Sequence, residues 1–299
     1  MMSDRNPARE QLDLFEHSRD TILRNAVITA LERRDAPAAR VAMLSLVAEF
    51  PRDEALSSLE LLVRIIEQPG LEGFADHDAL RAVRRLMSES IEPAARRIFG
   101  TKDASSWLVP LWRNLAGRSA RLAFRAEHSD DHAAVLWLAA GDWPAAIASV
   151  NGIESWRRIP APLSWMLEAR HGQNGMASVW PLIAELAWLA PERFERLASK
   201  LADPVLDRLL EKFYAAYEGE GTAADLAWFP TWTLTEEPAL APLLGEAQRG
   251  LCGDAEQGMR TVVELLGLER QGRQRDIVER RKRLRDLNPS IFAAFMAKR

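Results

Sequence analysis

Cysteine is nearly absent from this 299-residue sequence, where Cys252 is the only one. That excludes an intrachain disulfide framework and any zinc or iron–sulfur site built from several thiolates. Residues suited to strands are also scarce. Val, Ile and Thr together number 33, against 46 Ala and 40 Leu, which are strong helix formers. Long apolar runs are missing: the longest, residues 133–140, falls far short of the ~20 residues of a membrane span. Residues 1–10 are polar and predict no signal peptide, so the expected compartment is the cytoplasm. A net charge of −4 argues against a generally nucleic-acid-binding or membrane-surface protein.

What is present is amphipathic helix. Residues 21–34 carry Ile22, Leu23, Ala26, Val27, Ala30 and Leu31, a broad apolar face at helical spacing, with Ser18 or Asp20 as its expected cap. A second helix is predicted from Pro37 to Phe50, where Pro51 stops it, and a third over 53–67. Further helices are predicted over 131–140, 145–150, 176–189, 205–217 and 257–266. No segment alternates as a half-buried strand does.

Helix pairs in series call for a search for repeats. Asp35-Ala36-Pro37-Ala38-Ala39 lines up with Asp142-Trp143-Pro144-Ala145-Ala146, 107 positions on (142 − 35). Gly141-Asp142-Trp143 followed by Ala146 resembles the helix-to-helix turn of a tetratricopeptide repeat, and Cys252-Gly253-Asp254 followed by Gly258 has the same spacing. Pro51 stands where that repeat's terminal proline belongs, and Leu189-Ala190-Pro191 and Leu287-Asn288-Pro289 resemble further repeat ends. The resemblance implies an all-α solenoid of antiparallel helix pairs over about two-thirds of the chain, at ~36 residues per repeat. The large aromatic expected early in each repeat is mostly missing. The expected organisation is a flexible tail (1–17), a helical-repeat array (18–217), an aromatic-rich connecting segment (218–235) and C-terminal repeats ending in a basic capping helix (236–299).

Catalytic chemistry finds little support. His128 and His132 form the only histidine cluster, but Ser129 and Asp130 look like caps of the following helix, which leaves His128 outside it. No third metal ligand accompanies them. Asp76-His77-Asp78 reads as a solvated helix start, and His171 before Gly172 suits a helix C-terminus. Cys252 has no base beside it in sequence, and no glycine-rich phosphate loop occurs. No catalytic residue, metal or cofactor is therefore expected.

Three segments point to partners. Gln11-Leu12-Asp13-Leu14-Phe15 resembles the Gln-Leu-Ser/Asp-Leu-Phe peptide by which bacterial replication and repair proteins dock on the sliding clamp. The alternative is that Leu12 and Phe15 extend the first helix backwards, although Arg19 interrupts that stripe. Trp228, Phe229 and Trp232 form an aromatic run that is either a partner-binding surface or a plug folded over the core. Residues 270–285 hold eight basic and two acidic side chains, so Arg273, Arg280, Arg281 and Arg283 are candidate nucleic-acid contacts. Ile277, Leu284 and Leu287 give that segment an apolar edge, as a solenoid's capping helix requires, and nucleic acid is the less favoured reading. The expected function is a non-enzymatic scaffold or adaptor for a protein or peptide. The alternative is a replication or repair accessory tethered to the sliding clamp.

Overall fold

The computed structural model describes residues 7–250 and 253–299, with side chains from residue 19 onward. About 80% of the chain is helix, and no strand occurs among the described residues. No described helix is long and apolar enough to cross a membrane. The chain divides into two compact units, Met1–Ala140 and Gly141–Arg299. The boundary falls inside the stretch 18–217 that the sequence suggests as one array.

The first unit contains α1 (Pro7–Glu32), α2 (Ala36–Glu49), α3 (Leu56–Glu67), α4 (His77–Leu86), α5 (Glu92–Ser119) and α6 (Ala133–Ala139). Helix α2 starts because Asp35 accepts a hydrogen bond from the Ala38 amide and Pro37 sits in its first turn. It ends at Glu49 with Phe50 as its C-cap, before Pro51 and within one residue of the predicted end. Arg34, just ahead of the cap, is left-handed at φ 54°. Its guanidinium donates to the Trp107 carbonyl and lies over the Trp107 ring, 4.9 Å from the centroid. The Trp107 indole in turn donates to Leu31 O at 2.9 Å. These contacts hold the α1–α2 turn against α5. Val27, Leu31, Met43, Leu46, Leu59, Leu62, Leu80, Trp107 and Trp112 form the buried core. Helix α1 begins at Pro7, upstream of the caps expected at Ser18 or Asp20. Gly100, at φ 77°, breaks α5 into two helical stretches.

The second unit contains α7 (Trp143–Asn151), α8 (Pro160–Asn174), α9 (Trp180–Leu189), α10 (Pro191–Leu201), α11 (Pro204–Ala216), α12 (Phe229–Glu236), α13 (Ala241–Gly245), α14 (Asp254–Gln271), α15 (Gln274–Leu287) and α16 (Pro289–Ala297). Asp142 caps α7 through the Ala145 amide, after Gly141 at φ 66°. Ala202 (φ 47°) and Asp203 repeat that device before α11, at a place where the sequence does not suggest it. The third suggested copy differs: Asp254 is already inside α14, its cap is Gly253, and Cys252 lies outside the described residues. Both suggested repeat ends at 189–191 and 287–289 fall on helix boundaries. The interior is aromatic. Phe213 packs edge-on against Phe229 and Trp232, with ring centroids 5.7 and 5.6 Å apart, and Phe194 meets Phe229 at 5.6 Å.

Candidate functional site

An open groove of about 690 Å3 lies in the first unit. Helix α1 contributes Asp20, Arg24 and Ile28, the α2–α3 connection contributes residues 49–55, and α5 adds Arg97 and Ile98. Pro51 builds the wall: by ending α2 it turns Arg52, Asp53 and Glu54 toward the opening. The floor is apolar, from Ile28, Phe50, Ala55 and Ile98. Arg24 binds Asp53 at 2.6 Å and Asp20 at 3.2 Å. Burial pushes the Asp53 carboxyl up, but the Arg24 hydrogen bond and the Ala55 amide outweigh it and hold Asp53 below its ordinary range. These carboxylates are structural struts. Arg97 meets Glu54 only at 3.8 Å and both are exposed, so water screens the pair and a ligand can displace it at little cost. Arg52 is exposed on the same wall.

A second constellation joins histidines that the sequence separates. His77 of α4 stacks on His128, with centroids 4.8 Å apart. His77 Nε2 donates to the Ala123 carbonyl at 3.0 Å, and Arg81 donates to His128 Nδ1. His132 Nδ1 accepts from the Ala134 amide at 3.2 Å and so caps α6, the role expected of Ser129 or Asp130. Burial first, and the nearby His77 second, push the His132 imidazole down to about 4. Asp131, buried beside them, accepts from Arg81 and Arg84, both at 2.8 Å. These interactions fix the ring orientations and tie the 126–132 segment to α4. His77 is buried rather than solvated. Its approach to His128 was invisible in sequence because a 3-10 turn and a loop bring the two together. No group of three or more ligands arranged for a metal occurs among the described residues.

A smaller cavity of about 130 Å3 in the second unit is lined by Arg157, Arg158, Glu185, Gln248 and Arg249. Glu185 Oε1 accepts from Arg157 at 2.5 Å and from the Gln248 amide at 2.7 Å.

The residues singled out in the sequence lie as follows. Gln11, Leu12, Asp13, Leu14 and Phe15 fall within the bounds of α1, and their side chains lie outside the described ones. Phe229 and Trp232 are buried in the aromatic interior, so they form the plug rather than an exposed surface. Trp228 covers Gly258, where an added Cβ would come within 2.6 Å of the ring. The four candidate arginines of α15 and its cap are engaged within the fold. Arg273 pairs with Asp276, Arg280 with Glu264 and Arg281 with Glu269, while Arg283 donates to Gln257. The groove beside Pro51 escaped the sequence reading, because it depends on α1, the α2–α3 connection and α5 converging. Comparison with protein-family models, curated proteins and solved structures found no match.

Proposed function

We propose that the chain is a non-enzymatic scaffold that takes an extended peptide or loop of a partner protein in the groove beside Pro51. The observation that carries this reading is the groove's make-up: an apolar floor between walls whose exposed charges, Arg52, Arg97 and Glu54, are weakly engaged. An apolar side chain of the partner would enter over Ile28 and Ile98, and a neighbouring carboxylate would meet Arg52 and Arg97. Such anchors with a polar rim are the usual anatomy of a recognition site. The paired turns at Asp35 and Asp142 support a divergent tetratricopeptide-like solenoid as the framework, and a cytoplasmic location fits that role.

The test is a photo-crosslinking residue placed at position 52 of the full chain in its host. The reading expects a discrete adduct with a second protein that is absent when the same residue replaces exposed Arg196 in α10. Equal labelling from both positions, or none from 52, contradicts it.

A second reading has its own sequence feature, Gln11 to Phe15. In it Leu14 and Phe15 dock on a bacterial sliding clamp and tether the chain to replication or repair. A peptide spanning residues 7–18 should then bind the clamp at about 1 μM, some −8 kcal/mol, and lose binding when Leu14 and Phe15 become Ala. Clamp binding that survives the double substitution, or is absent, removes this reading and leaves the groove untouched.

A further inference from the structure

We propose that the outward face of α2 is the interface of a symmetric dimer, its occupant being α2 of a second copy of this chain, a surface separate from the groove.

Helix α2 contains two charged residues, Arg40 and Glu49, and Arg40 is drawn to Glu67 on α3, with 2.7 Å between Nε and Oε1. From Pro37 to Ala48 the exposed positions are Pro37, Ala38, Val41, Leu44, Val47 and Ala48, none of them charged or polar. Val41 is 66% exposed and Leu44 61%, and Ile22 on the adjoining α1 is 62% exposed. A helix apolar on two opposite faces belongs in an interior, and this one has its inner face, through Ala39, Met43 and Leu46, in the core and its outer face uncovered. Three turns of surface whose one charge is Arg40, tied to Glu67, with Ile22 beside them, offer on the order of 500 Å2. Two copies would then bury about 1,000 Å2, the lower bound of a specific interface.

The face is complementary to itself. A two-fold axis perpendicular to α2, passing between positions 42 and 43, pairs residues whose numbers sum to 85. It sets Pro37 against the partner's Ala48, Ala38 against the partner's Val47, and Val41 against the partner's Leu44, so each exposed position meets an exposed position. Every side chain on the seam is apolar, with the largest at its centre and small ones toward its ends. Between α1 and α2 lies a shallow hollow of about 370 Å3, lined by Ile22, Ala26, Thr29, Arg33 and Ala38, which a side chain from the partner's α2 can enter. The antiparallel pairing that this perpendicular axis gives also opposes the two helix dipoles, which a parallel pair does not.

The experiment is sedimentation velocity on the full chain over a wide concentration range, with Leu44→Asp and Val41→Asp as variants. Val278→Asp on α15 is the control, since Val278 is also exposed, at 67%. Expected is a species of about twice the 33.6 kDa chain mass, reduced to one chain mass by either α2 substitution and unchanged by the control. Circular dichroism and the midpoint of thermal unfolding at low concentration should match wild type, because both residues already face water. A wild-type chain that stays monomeric at its highest soluble concentration overturns the proposal. So does a dimer that tolerates Leu44→Asp and Val41→Asp.

Discussion

The turn before α2 and the turn before α7 have nearly the same shape and opposite chemistry. Each places a left-handed residue, then an Asp cap, then Pro two positions later and a fully buried Ala four positions after the Asp. The left-handed residue is Arg34 in the first unit and Gly141 in the second. Glycine takes that conformation freely, whereas an L side chain pays about 1 kcal/mol for it. Arg34 offsets the strain with its bond to the Trp107 carbonyl and its place over the Trp107 ring. One backbone solution is thus reached by permissiveness in one unit and by a tertiary anchor in the other. The first turn should therefore depend on distant residues, and the second on its own.

The largest expected break is Trp107→Ala. It removes a buried ring, the face over which Arg34 lies and the donor to Leu31, while leaving the backbone carbonyl that Arg34 also binds, and should cost about 3–5 kcal/mol in denaturant unfolding. Hydrogen exchange should show the α1–α2 turn opening far more than the α7 turn. Equal opening would mean that the Trp107 ring adds nothing to the anchor of Arg34.

Acid should separate the units next. His132 titrates near 4 when folded, against 6.5 for the free group, so the unfolded chain binds its proton first as pH falls. The stability that neutral His132 contributes is complete above pH 6.5 and is lost on the way down to about 4. It amounts to about 3 kcal/mol. Exchange protection in the first unit should fall across this window, and His132→Gln should flatten the dependence. A pH-independent first unit would contradict the burial of that ring.

Overpacking should cost about 1–3 kcal/mol at either turn, through Ala39→Phe or Ala146→Phe, because both positions are fully buried. A neutral outcome at one of them breaks the equivalence of the turns. Smallest is a gain. Ala202, left-handed before the Asp203 cap, should become more stable as Gly by at most about 1 kcal/mol, read from the denaturant midpoint. A loss there would show that the residue needs its methyl group.

How legible this was in sequence follows from the range of each interaction. Pro37 and Pro51 act within a few residues, so the bounds of α2 could be read directly, whereas the start of α7 lies two residues before the predicted 145 and the capping by Asp35 and Asp142 emerged only in the structure. The all-helical class followed from the Ala and Leu excess. The Ala202-Asp203 turn was missed because neither a glycine nor a helix-pair alignment marks it. His132 as a cap was missed because imidazole is an unusual N-cap, stabilised here by burial and by the Ala134 amide. The groove and the outward face of α2 depend on which side of each helix the rest of the unit covers. Hydrophobic periodicity cannot supply that for α2, whose inner and outer faces are both apolar.

The most direct test of the central claim, that the groove beside Pro51 holds a partner peptide, is an affinity ratio. Peptides are selected from a random library on the intact chain, and their binding is compared between wild type and the Arg52→Glu, Arg97→Glu double variant. The account predicts peptides that pair an acidic residue with an apolar one, and at least tenfold weaker binding to the variant, about 1.4 kcal/mol. Helix content and unfolding midpoint should be unchanged, since both arginines are exposed. Equal affinity for the two proteins would contradict the claim.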